Sequence, residues 1–135
     1  MESLRFTILL LLCTLTGNAH AELNWRNAMT GEHRAEESRA RDVYRNPRET
    51  LEFFGISAGM TVMEVSPGSG WYTSILAPLM KGQGQLIAAH SSQNGGSYAR
   101  RSLGGFLKKI GENDKVYGEV LVTTLQPPLK GVPAP

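Results

Sequence analysis

One cysteine in 135 residues, Cys13, leaves the chain without an internal disulfide and without a zinc site built from several thiolates. A formal net charge of +2 is no excess of one sign, which excludes the strongly basic face of a nucleic-acid binder. No apolar run approaches the ~20 residues that span a bilayer. With 15 glycines and 7 prolines the chain is too poor in both for a collagen or a linker, and at 41% hydrophobic it is too apolar for disorder. Acidic residues are missing from a whole stretch: none occurs between Glu64 and Glu112. What is left is a globular chain with room for one domain, since domains run to ~100–150 residues.

The N-terminus has a pattern of its own. Arg5 and the free amine outweigh Glu2, Phe6 to Leu15 is apolar, and Ala19-His20-Ala21 puts small residues where a signal peptidase needs them. Residues 1–21 therefore read as a secretory signal peptide, and the rest as a protein of the periplasm or the exterior with no membrane anchor after cleavage. Leu12 before Cys13 argues against a lipoprotein signal, and Cys13 leaves with the signal, which suits an oxidising compartment.

Residues 22–135 carry alternating signals. Glu32 to Tyr44 reads as a polar helix with a narrow apolar stripe, and Asn46-Pro47-Arg48-Glu49 as a capped helix start with a capping box, the helix ending at Gly55. Met60 to Val65 is a short apolar run that predicts a strand buried on both faces. Trp71 to Met80 has helical periodicity despite Pro78, and Gln85 to Ala89 predicts a second strand. Tyr98 to Ile110 predicts a basic amphipathic helix with Leu103, Phe106, Leu107 and Ile110 inward, although Gly104-Gly105 weakens it. Val116 to Leu125 predicts a third strand, and Gln126 to Pro135, with four prolines, a loop. Helices followed by strand–helix–strand–helix–strand give an α/β fold with a parallel sheet. Doubly wound folds have two such halves and only one is written here, so residues 22–135 read as the N-terminal part of a truncated domain.

The chemistry concentrates in Glu64-Val65-Ser66-Pro67-Gly68-Ser69-Gly70. A strand ends in a carboxylate, then a turn with two glycines opens a helix. Gly68 and Gly70 allow positive φ and close approach of a ligand to the backbone. Free amides at the following helix start suit a phosphate or the carboxylate of an amino acid. This segment resembles the first motif of the class I S-adenosylmethionine-dependent methyltransferases, an acid and an apolar residue before Gly-x-Gly-x-Gly, with Ser66 in place of the first glycine.

A wider pattern, from about Gly31 onward, resembles a family of exported predicted methyltransferases. Ala40-Arg41-Asp42-Val43-Tyr44-Arg45-Asn46-Pro47 and Glu49-Thr50-Leu51-Glu52-Phe53-Phe54-Gly55 carry its first part. Gly59-Met60-Thr61-Val62-Met63-Glu64, Pro67-Gly68-Ser69-Gly70-Trp71-Tyr72-Thr73 and Ile75-Leu76-Ala77-Pro78 carry its second. The resemblance implies a Rossmann-like methyltransferase fold with bound S-adenosylmethionine held by Glu64, Ser66, Pro67, Gly68, Ser69 and Gly70, and names no methyl acceptor. It also implies an acid at the end of the second strand for the ribose hydroxyls; that place holds His90, so ribose contacts fall to His90, Ser91, Ser92 or Asn94.

Bland readings stand beside these. His90 reads equally as a loop histidine, and His33 as a solvated residue on a charged helix. Trp71 and Tyr72 read as packing against the sheet, and Arg41, Asp42, Tyr44 and Arg45 as a solvated face or a cover for the cofactor. Two other functions compete with methyl transfer. A dinucleotide reductase needs Gly-x-Gly-x-x-Gly, but Thr73 stands at the third position. An exported non-enzymatic binding protein that keeps the fold fits the missing ribose acid.

Overall fold

In a computed structural model, the described residues are 22–125. The signal-peptide and proline-rich-tail readings lie outside them. Four short helices come first: α1 (Trp25–Thr30), α2 (Glu36–Arg39), α3 (Asp42–Arg45) and α4 (Pro47–Phe53). Then β1 (Thr61–Val65), α5 (Thr73–Met80), β2 (Gln85–Ser91), α6 (Gly96–Gly111), α7 (Asp114–Tyr117) and β3 (Leu121–Leu125) alternate. The three strands form one all-parallel sheet in the order β1-β2-β3, with Glu64 opposite Ala88 and His90 opposite Thr124. The fold is α/β with a parallel sheet preceded by helices.

Register and strand alternation put Val62, Glu64, Leu86, Ala88 and His90 on one face. Both α5 and α6 pack there: Val62 and Leu86 meet the α5 core, and the His90 ring lies 5.3 Å from that of Phe106 on α6. Seven of the eight α5 residues are buried, an all-round apolar surface that marks a helix enclosed by its neighbours. Ile75 and Leu79 are fully buried, each contributing about 1.5–3 kcal/mol. Above α5 sit Ala28 of α1 and Leu51 of α4.

Several sequence expectations change. The expected Glu32–Tyr44 helix is two separate turns, α2 and α3, because its apolar stripe is too thin to hold a longer helix against the core. Asn46 makes no capping box. It closes α3 in the left-handed region, φ 41°, and only its carbonyl serves α4, accepting from the Thr50 amide at 2.9 Å and hydroxyl at 2.8 Å. At the far end Gly55, φ 72°, does stop α4, with the Gly55 amide on Glu52 and the Ile56 amide on Leu51 completing a Schellman motif.

β1 is not buried on both faces. It is a sheet edge among the described residues, its Val65 is exposed, and it is the central β2 that is covered. The third strand is shorter than expected, since Asp114–Tyr117 forms α7 before it. On α6, Ala99 takes the inward place expected of Leu107, which is exposed, while the Gly104-Gly105 pair leaves the helix unbroken.

Pro78 inside α5 would leave the Ser74 carbonyl without its usual amide donor. The His33 Nε2 fills that place at 2.8 Å, with its ring edge-on to Tyr117 at 6.4 Å. His33 is thus a partly buried strut rather than a solvated residue.

Candidate functional site

Between β1 and α5 the backbone takes an unusual path. Ser66, Gly68 and Gly70 are all left-handed, with φ 56°, 58° and 74°. These are the three alternate positions at which the resemblance implies glycine. A serine in this region costs about 1–2 kcal/mol that glycine does not. The turn is anchored on β2: the Ser66 amide donates to the Ala89 carbonyl at 2.9 Å, and His90 Nε2 to the Gly68 carbonyl at 3.2 Å. Gly70 closes the turn onto Pro67 and packs tightly from below, since a Cβ there would stand 3.1 Å from the Phe106 ring. A Cβ on Gly68 would meet nothing within 4 Å. Gly68 therefore faces open space, and its amide and that of Ser69 take no backbone partner among the described residues.

Glu64, at the end of β1, points to the helix face. Its carboxylate accepts from the Thr73 hydroxyl at 2.5 Å, so it caps the entrance to α5. Burial pushes its pKa up, against the lowering effect of the Thr73 hydrogen bonds and the Lys109 charge. Burial likewise pushes the Lys109 ammonium down, with Glu64 opposing that shift. Lys109 reaches from α6 to donate to the Gly70 carbonyl at 2.8 Å and the Ser69 carbonyl at 3.2 Å. The turn is therefore held from beneath by α6.

His90 lies on β2, not in a loop, and is 2% exposed. Its Nε2 faces Gly68 and its Nδ1 has no hydrogen-bond partner among the described residues. The ring supports the turn and is closed to a ribose. Ser91, Ser92 and Asn94, just beyond, line a separate recess of about 350 Å³ with Tyr98 and Leu125, at the carboxyl ends of β2 and β3. Of the expected site residues, Ser66, Pro67, Gly68, Ser69 and Gly70 thus form one turn, with Glu64 and His90 as its supports.

The two parts of the wider sequence pattern meet in space for packing reasons. Trp71 is buried in the core cluster that includes Leu86 of β2, and its Nε1 donates to the Ser38 carbonyl of α2 at 2.9 Å. Three guanidiniums surround its ring, those of Arg45, Arg34 and Arg41 at 4.7, 5.6 and 5.9 Å from the centroid. Arg34, which the sequence reading passed over, is buried and pairs with both Asp42 oxygens at 2.7 Å. Asp42 and Arg41 serve this junction, and Tyr44 is exposed. Spacing alone cannot reveal a salt bridge from the bend before α2 to the start of α3.

Among the described residues no three side chains of the His, Cys, Asp and Glu types come together to hold a metal, and no helix is long and apolar enough to cross a membrane. No protein-family model matches this chain, and no curated protein or solved structure matches it either.

Proposed function

We propose that the chain carries the S-adenosylmethionine site of a Rossmann-like, methyltransferase-type domain, with the cofactor lying across the carboxyl ends of β1 and β2. The observation that carries this reading is the run of left-handed residues Ser66, Gly68 and Gly70 directly after β1, whose penultimate residue is Glu64. Structural turns need one or two such residues; three in alternation, with open space over Gly68, suit a ligand pressed against the backbone. Ligands of open parallel sheets bind beyond the carboxyl ends of the strands, which is where both this turn and the Ser91–Ser92–Asn94 recess lie.

In this reading the Gly68 and Ser69 amides receive the amino-acid carboxylate, and Ser91, Ser92 and Asn94 take the ribose in place of His90. Glu64 positions the turn through Thr73. The bound cofactor would supply an electrophilic methyl group on a sulfonium, and the protein's part is orientation of that methyl toward an acceptor. Calorimetric titration of the full chain with S-adenosylhomocysteine tests the reading. We expect saturable binding that Gly68→Val abolishes, because its side chain would fill the open space; absence of heat at millimolar ligand overturns it.

The second reading, an exported binding protein with the same site and no catalysis, is favoured by the lack of any carboxylate between Glu64 and Glu112. Transfer of labelled methyl to any component of a periplasmic extract separates the two.

A further inference from the structure

A second cavity, of about 580 Å³, opens between the turn and α6, on the helix side of the recess at the strand ends. That volume is typical of a small-molecule pocket. Tyr98, Arg101, Ser102, Gly105, Phe106 and Lys109 line it, one face of α6 repeating at helical spacing, with Gly68 and Ser69 opposite.

Its chemistry is one-sided. Arg101 and Lys109 bring two positive charges, Ser102 brings a hydroxyl, and no carboxylate lines the wall. Glu64, below the turn, accepts from Thr73 and offsets the charge of Lys109 rather than that of Arg101. Lys109 is tethered to two carbonyls, whereas Arg101 makes no ion pair or hydrogen bond among the described residues, so its fork is free for an anion. The Phe106 ring lies fully buried behind the cavity, and the exposed Tyr98 ring at its side gives a flat ligand an apolar surface. Gly105 sits midway between Arg101 and Lys109. Glycine inside a helix costs about 1 kcal/mol relative to alanine, and here it leaves clear space, since a Cβ would meet nothing within 4 Å. The volume is far larger than an inorganic anion requires.

We propose that this cavity binds a small molecule with a flat apolar body and a single anionic group, a carboxylate or a phosphate monoester, the anion on Arg101 and the body beside Tyr98 over Gly105. The cavity borders the proposed cofactor site at Gly68, Ser69 and Tyr98, but its anion contact on Arg101 does not depend on that reading.

The test is calorimetric titration of the full chain with 4-hydroxybenzoate, phenyl phosphate, inorganic phosphate and neutral benzyl alcohol. At least one aromatic anion is expected to bind, with benzyl alcohol and inorganic phosphate at least tenfold weaker; the preferred anion identifies the charged group. Arg101→Ala, an exposed position that leaves the fold intact, should weaken the aromatic anion at least tenfold. Gly105→Leu, with an unchanged circular dichroism spectrum, should do the same by filling the floor. Equal binding of the neutral analogue, no binding of either aromatic anion, or an unaffected Arg101→Ala variant overturns the proposal. S-adenosylhomocysteine titrated against the same variants separates the two sites. Retained affinity supports distinct sites, and a parallel loss makes the cavity part of the cofactor cleft and overturns a separate one. Aromatic-anion binding without any S-adenosylhomocysteine binding would overturn the cofactor reading alone.

Discussion

Ser66 stands where the backbone calls for glycine, and its neighbours explain why the strain is held. The Ser66 amide is fixed on Ala89 and the turn continues through two further left-handed residues, so the chain cannot relax locally. Ser66→Gly should therefore leave the protein at least as stable, since relief of ~1–2 kcal/mol of strain outweighs the ~0.4–1 kcal/mol entropy cost of glycine. Gly70→Ala should destabilise it by more than about 1 kcal/mol, because φ 74° and the Phe106 ring at 3.1 Å both oppose a methyl group. Urea denaturation of the three proteins checks both directions.

Glu64 carries a pH signature at the same scale. Its pKa is raised in the fold, so the native state holds its proton more tightly than the unfolded chain does. Its contribution is thus fully favourable below the ordinary carboxylate pKa and is lost as pH rises through the raised value. Glu64→Gln should remove this loss of stability as pH rises above the ordinary carboxylate range, measured as urea midpoints of variant and parent against pH; a variant whose profile parallels the parent's would contradict it.

Elements in this fold depend on partners that lie far away in sequence. The Ser74 carbonyl, orphaned by Pro78, is satisfied by His33 from the N-terminal segment. Removing the imidazole with His33→Ala leaves a carbonyl unpaired and should cost about 1–3 kcal/mol. In a Pro78→Ala background residue 78 regains its amide and competes for the same carbonyl, so the cost of His33→Ala should shrink. A double-mutant cycle measures that coupling, and strict additivity would contradict the shared-carbonyl account. Asp42→Ala strands the buried Arg34 guanidinium and should cost about 3–5 kcal/mol in thermal or urea unfolding.

These dependences also explain which elements were legible in the sequence. β2 and α6 announce themselves through continuous or periodic apolar residues, and Gly55 through its place after an apolar turn. The split of α2 from α3 and the exposure of β1 follow from what does or does not pack on them, which local periodicity does not record. Lengths set by propensity gave way to lengths set by packing.

For the whole molecule, the parallel sheet brings the turn after β1 beside the end of β2, and the helices α5 and α6 share one face beneath them. The location of the candidate site was visible in Glu64-Val65-Ser66-Pro67-Gly68-Ser69-Gly70, because glycine spacing directly encodes backbone conformation. The roles of its supports were not. His90 reads as a loop residue until β2 is seen to run through Ser91, and nothing in the sequence around Trp71 announces that Ser38 and three arginines converge on it.

The most direct measurement is a titration of the isotope-labelled full chain with S-adenosylhomocysteine, following backbone amide resonances. Binding across the strand ends predicts saturable shifts at Gly68, Ser69 and Gly70 together with Ser91, Ser92 and Asn94. Resonances that stay fixed there, or that move only along the Arg101–Lys109 face of α6, would contradict it.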